Sequence, residues 1–126
     1  MFLNLSNHPS GQWCAEQIAA AKAYGEITDM PFPAVPPEWD AERVSAFADR
    51  LFAQIVATGP AAVLCQGEMT LTYQLVKRLT KAGVPALCAC SDRLTEETTL
   101  PDGSTKKISR FVFRGFRLYD AAGNGE

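Results

Sequence analysis

Residues 61–65 read AAVLC, and Gln66-Gly67-Glu68-Met69-Thr70 (QGEMT) follows them directly. Five residues that are apolar throughout, with no alternation, read as a strand covered on both faces, as at the centre of a parallel sheet. Gly59-Pro60 closes the helical pattern before it. After it, Leu71, Leu75, Val76 and Leu79 recur at helical spacing as far as Ala82, and Gly83 ends the run. A strand of this kind between two amphipathic helices implies β-α-β units, with helices on both faces of one sheet.

Toward the N-terminus, Phe2–Leu5 reads as a short buried strand. Ser10 is placed to cap a helix over roughly 11–24, on which Trp13, Ile18, Ala21 and Tyr24 recur, with Gly25 as its stop. Glu26–Phe32 reads as a second strand. Pro31, Pro33, Pro36 and Pro37 then keep the chain extended until Asp40, the expected cap of a helix over 41–58 with Val44, Phe47, Leu51, Ile55 and Val56 as its stripe. Toward the C-terminus, PALCAC (85–90) is a fourth strand, and 91–99 can continue it as an extended arm. Pro101–Ser104 is a turn signal, and Lys107–Tyr119 is a long aromatic and β-branched strand. The expected fold is a three-layer, Rossmann-like α/β domain over residues 1–120, with four parallel strands and an antiparallel C-terminal strand. Residues 121–126 are expected to form a flexible tail.

At 126 residues the chain fits one domain with a real core. A net charge of −2 argues against a basic nucleic-acid coat, and duplex DNA is not an expected partner. No apolar run reaches membrane-spanning length and no leader-like segment precedes the first strand, so a cytoplasmic location is expected. The four cysteines form no C-x-x-C pair and there is one histidine, so no metal site is expected. Cys65, Cys88 and Cys90 read as small buried hydrophobes; Cys14, in a first helical turn, is the one position where a thiolate would be favoured. There is no G-x-G-x-x-G, Walker loop or G-x-S-x-G elbow, and no cofactor is expected.

In a parallel α/β sheet, ligands sit beyond the carboxyl ends of the strands, near the switch in strand order. Three polar clusters fall there: Ser6-Asn7-His8-Pro9-Ser10-Gly11, Gln66-Gly67-Glu68-Met69-Thr70 and Ser91-Asp92-Arg93. Two of them precede helices, whose free N–H groups favour an anion, phosphate above all. Each also has a structural reading. Ser10 can be a cap, Asn7 a turn former, His8 an exposed loop residue, Gln66-Gly67 a tight turn, Glu68 a first-turn acid and Asp92-Arg93 a surface ion pair. Between Ser104 and Tyr119, Lys106, Lys107, Arg110, Arg114 and Arg117 alternate loosely with Phe111, Phe113, Phe116 and Tyr119, with no acid among them. That row reads as a core strand with a solvated basic face, or as a basic wall with aromatics able to stack bases or meet a partner copy. Arg114 and Arg117 cannot share one face of a regular strand.

LSNHPS at the first strand end, QGEMT before the third helix, CSDR (90–93) and F-x-x-F-R-x-Y (113–119) together resemble small single-domain Csx-type CRISPR-associated Rossmann-fold proteins of the ring-nuclease type. The resemblance implies a cyclic oligoadenylate ligand held by a homodimer, and metal-independent cleavage in which a ribose 2′-hydroxyl attacks the adjacent phosphorus. It implies a site of Ser6, Asn7, His8 and Ser10, of Gln66, Gly67, Glu68 and Thr70, and of Ser91, Asp92 and Arg93. In that set His8 would be the general acid or base, since imidazole changes charge near neutrality, and Asn7 and Glu68 its catalytic companions. A binding-only sensor or sponge for the same ligand, or an unrelated nucleotide- or protein-binding α/β domain, are the other readings.

Overall fold

The apolar run AAVLC supplies β3 (Ala62–Gln66), and in the computed structural model, which describes residues 1–121, β3 is paired on both sides. The other elements are β1 (Phe2–Ser6), a 3-10 turn (Ser10–Gln12), α1 (Ala15–Lys22), β2 (Ile27–Pro31), α2 (Ala41–Ala57), α3 (Met69–Lys81), β4 (Ala86–Thr99) and β5 (Thr105–Leu118). The sheet order is β2-β1-β3-β4-β5, parallel except for the antiparallel pair β4–β5. The expected α/β architecture is therefore present. The strand order reverses between β1 and β3, so the carboxyl ends of these two strands frame the switch point.

Alternation along the strands divides the core in two. Leu3, Leu5, Val63, Cys65 and Ala86 face α2 and α3, and pack with Val44, Leu51, Ile55, Leu71, Leu75 and Leu79. Phe2, Ala62, Leu64 and Leu87 face α1 and pack with Ala21, Trp13 and Phe116. Two long helices cover the first face. The second has only the eight residues of α1, a helix of roughly 12 Å, which cannot span five strands. The carboxyl ends of β3 and β4 are left open on that side.

Two expectations are corrected. The helix expected over 11–24 is split: a 3-10 turn closes on Pro9 and Ser10, Trp13 is extended, and α1 begins only at Ala15. The extended Trp13 lets its ring lie edge-on to Phe2 and beside Phe116, and that packing outweighs helix continuity. Ser10 is not a helix cap. Its N–H and hydroxyl both donate to Asp29 on β2, and Cys14 takes the cap position of α1 without a side-chain cap bond. Ser91-Asp92-Arg93 lies within β4, paired with Phe113, Val112 and Phe111, in line with the extended arm expected over 91–99.

Beyond Cys90, β4 and β5 leave the sheet as a two-stranded arm, closed by a turn at 100–104. Of the tail expected at 121–126, residues 122–126 lie outside the described residues. No helix among the described residues is long and apolar enough to cross a membrane.

Candidate functional site

The polar cluster after β1 is organised by a residue inside the strand. Asn4, 1% exposed, sends its amide N–H groups to the His8 carbonyl and to Asp29 Oδ1, both at 2.9 Å. Its Oδ1 accepts the Ser6 hydroxyl at 2.6 Å, and Ser6 Oγ in turn accepts the His8 N–H at 3.2 Å. Trp13 Nε1 donates to the same His8 carbonyl at 3.1 Å. All the hydrogen-bonding capacity of His8's backbone is thus spent on fixing the turn, while its imidazole is exposed.

His8 lines a cleft of about 790 Å³ at the carboxyl ends of β1, β3 and β4. Leu64 and Ala89 line it where α1 does not reach. Ser6, Gln12, Trp13, Cys14 and Gln17 line it on the α1 side; Gln66, Ser91, Phe111 and Phe113 come from β3 and the arm. Gln66 is fixed by accepting the Ala89 N–H on its Oε1 at 2.6 Å.

The arm's contribution depends on one irregularity. Cys90 pairs with Gly115 but Ser91 pairs with Phe113, so β5 carries an extra residue, Arg114, opposite that step. Gly115, beside it, has φ +154°, a conformation that favours glycine. Phe113 and Phe116 are three apart and would face opposite ways on a regular strand. Here their ring centroids are 5.1 Å apart. The bulge turns Phe113 and Phe111 to the cleft, and Arg114 and Arg110 to the far side. There Arg114 pairs with Asp92 at 2.6 Å and Arg110 with Glu96 at 3.7 Å. Directly opposite Phe111 stands Arg93, on the cleft side of the arm.

The structure brings Ser6, His8, Gln66 and Ser91 together on this cleft. Arg93 stands on the cleft side of the arm beside Phe111, and the remaining expected site residues lie elsewhere. Asn7 lines a smaller hollow with Asn4, Pro9, Asp29 and Pro31. Glu68 is the N-cap of α3: its carboxylate accepts the N–H groups of Thr70 and Leu71, both at 2.9 Å, and the Thr70 hydroxyl at 2.7 Å. The Thr70 hydroxyl, and after it these amides, hold the carboxyl below its ordinary range. A carboxylate therefore occupies the helix terminus where the sequence suggested a phosphate. Gly67 and Gln66 border a second, apolar cleft of about 410 Å³ with Met69, Tyr73, Val76 and Tyr119. Asp92 is spent on Arg114.

A family model described as "Uncharacterized protein MJ1673 family" matches residues 1–117. The chain belongs to the MJ1673 family. The match runs from β1 through all but the last residue of β5, so both the switch point and the arm lie within the family's shared extent. No curated protein matches the chain. The family description names no ligand or reaction, so the chemistry of this MJ1673-family cleft is read from its residues.

Those residues allow proton transfer at one point, His8, beside amide and hydroxyl groups able to hold a polar ligand and aromatic faces able to stack on it. The thiols are not equivalent. Burial pushes the Cys65 thiol up to about 12, and burial first, with Cys90 adding to it, raises that of Cys88. Cys14 is exposed on the cleft. Sequence reasoning missed Asn4, Gln12, Gln17 and the cleft-facing role of Trp13, and it named Phe111 as able to stack bases without placing it on this cleft. Asn4 had a signal, a lone amide inside the apolar strand FLNLS. The facing of Phe111 had none, because it depends on the bulge.

Proposed function

We propose that the protein binds cyclic oligoadenylate and cleaves it without a metal ion. The observation that carries this reading is the placement of His8: its backbone is locked by Asn4, Ser6 and Trp13, and the exposed residue lines a cleft with aromatic walls at the sheet's switch point. The resemblance of LSNHPS, QGEMT, CSDR and the terminal aromatic motif to ring-nuclease sequences supplies the ligand class.

In the proposed reaction the nucleophile belongs to the substrate. A ribose 2′-oxygen forms a bond to the adjacent phosphorus as the bond from phosphorus to the 5′-oxygen breaks. The 2′-hydroxyl proton is taken up by a base and the departing 5′-oxygen receives a proton, leaving a linear product with a 2′,3′-cyclic phosphate end. His8 serves one of these transfers, and the fixed amide of Gln66 and the hydroxyls of Ser6 and Ser91 position the ribose and phosphate. With Glu68 committed to its helix and Asn7 in a separate hollow, His8 is the member of the expected catalytic set left for that transfer, and solvent serves the other. A ring with an even number of adenylates carries a two-fold axis that a C2 homodimer matches, and a messenger made inside the cell implies a cytoplasmic protein.

The test is incubation with cyclic tri-, tetra- and hexa-adenylate in EDTA, with product analysis. Linear adenylates ending in cyclic phosphate, lost in His8→Ala while ring binding persists, are the expected result. A ring retained intact by the wild type would show a sponge, and neither binding nor cleavage of any ring would overturn the reading.

A further inference from the structure

The two faces of the arm have different chemistry. On the far side each arginine has an acid: Arg114 has Asp92 and Arg110 has Glu96. On the cleft side Arg93 makes no ion pair with any described residue. Its neighbours on that face are Ser91 and Thr95 along β4, and Phe113, Phe111 and Ser109 across on β5, all uncharged. Phe111, opposite it, is 73% exposed. Phe113 and Phe116 pack on each other and Trp13 packs on Phe2 and Phe116, whereas Phe111 has no ring partner among the described residues. A phenylalanine left bare on a cleft wall, beside a guanidinium with no counter-charge, lacks a structural role and has the chemistry of a nucleotide subsite.

We propose that Phe111 and Arg93 form a nucleotide-binding step on the arm, Phe111 stacking an adenine and Arg93 meeting the phosphate attached to it. The inference rests on the adenylate reading above and extends it: the arm, and not the sheet edge alone, holds the ligand. Stacking is tolerant of base identity, so this step provides affinity while the cleft beneath it positions the scissile bond. Arg93 adds a charge-assisted contact to a non-bridging oxygen, which makes part of the binding salt-dependent.

The test measures dissociation constants of the full chain for cyclic tri-, tetra- and hexa-adenylate and for linear oligoadenylate, at two or more salt concentrations. Phe111→Ala is expected to weaken binding by about 5- to 150-fold, the range for one base–aromatic stack, with Phe111→Tyr close to wild type. Arg93→Gln is expected to weaken binding and to lower the salt slope by about 0.7, the share of one phosphate on a single strand. Ile108→Ala, on the opposite face of the arm, is the control and should bind as wild type. If the wild type binds a ring and Phe111→Ala binds it equally well, the arm step is overturned and the adenylate reading survives. If only linear oligoadenylate binds, with loss in Phe111→Ala, the step stands and the cyclic reading falls. If no adenylate binds the wild type, both fall.

Discussion

Gln66 Oε1 accepts the backbone N–H of Ala89 at 2.6 Å, two residues past the last backbone pairing of β3 with β4, Leu64 with Leu87. A side chain continues the ladder after the backbone pairing of β3 with β4 has ended, and so fixes the root of the arm against the cleft floor. Gln66→Leu removes the acceptor and leaves a partly buried N–H unpaired. We expect a loss of about 1 kcal/mol in urea unfolding and faster hydrogen exchange at Ala89, with Gln66→Glu retaining protection. Exchange at Ala89 unchanged in Gln66→Leu would mean that this bond does not hold the arm.

Glu68 provides a pH-dependent cap. Its folded-state pKa lies below the ordinary carboxylate value, chiefly because the Thr70 hydroxyl bonds it. A depressed folded pKa gives stability that is present above the unfolded value and is lost as pH falls through the folded one. Glu68→Ala should therefore cost about 0.5–2 kcal/mol at neutral pH, as N-cap removal does. The gap from wild type should shrink as pH falls below the ordinary glutamate value of about 4.3 and through the lower folded one. Ring cleavage should survive the substitution, and its loss with the fold intact would return Glu68 to the chemistry.

Gly67 is required by contact and not by backbone dihedral. A Cβ there would overlap the ring of Phe32, which is buried in the α2/α3 core. Gly67→Ala should destabilise by about 1–3 kcal/mol through overpacking. Adding Phe32→Leu should restore part of that loss, giving a favourable coupling between the two sites in a double-mutant cycle. Strict additivity would place the strain elsewhere.

The thiols give a labelling test of the cleft. With its pKa pushed up to about 12 by burial, Cys65 has almost no thiolate near pH 8 and should resist iodoacetamide in the native protein. Cys14, exposed on the cleft wall, should be alkylated first, as read by mass spectrometry of peptides. A bound ring should slow its labelling. Equal labelling of Cys14 with and without bound ligand would place the ligand away from the Trp13–Cys14 side.

The sheet was legible because its signals are local. AAVLC between two amphipathic stripes implies a central strand whatever follows, and Gly25, Asp40, Gly59 and Gly83 bound the helices near where the structure ends or begins them. The errors arise where tertiary contact outweighs local pattern. Ser10 has the right side chain for a cap and the periodicity of a helix after it, but Asp29 on β2 takes its donors and the core takes Trp13. The extended arm over 91–99 was legible, but which of its side chains meet the cleft depends on pairing with β5. Glu68 was legible as either an anion's neighbour or a first-turn acid, and only the positions of Thr70 and Leu71 decide between them.

The extra residue in β5 has a consequence for how this cleft could diversify. Removing Arg114 would make the β4–β5 ladder regular and leave Phe113 and Phe111 on the cleft side. Adding one residue to β4 between Cys90 and Ser91 would regularise the same ladder, but would rotate the arm so that Val112 and the two arginine–acid pairs face the ligand instead. Two single-codon length changes, one a deletion and one an insertion, repair the same irregularity and produce opposite binding walls. Relatives with nearly identical composition can therefore present different chemistry to a ligand, and an alignment that treats a gap here as neutral would not see it.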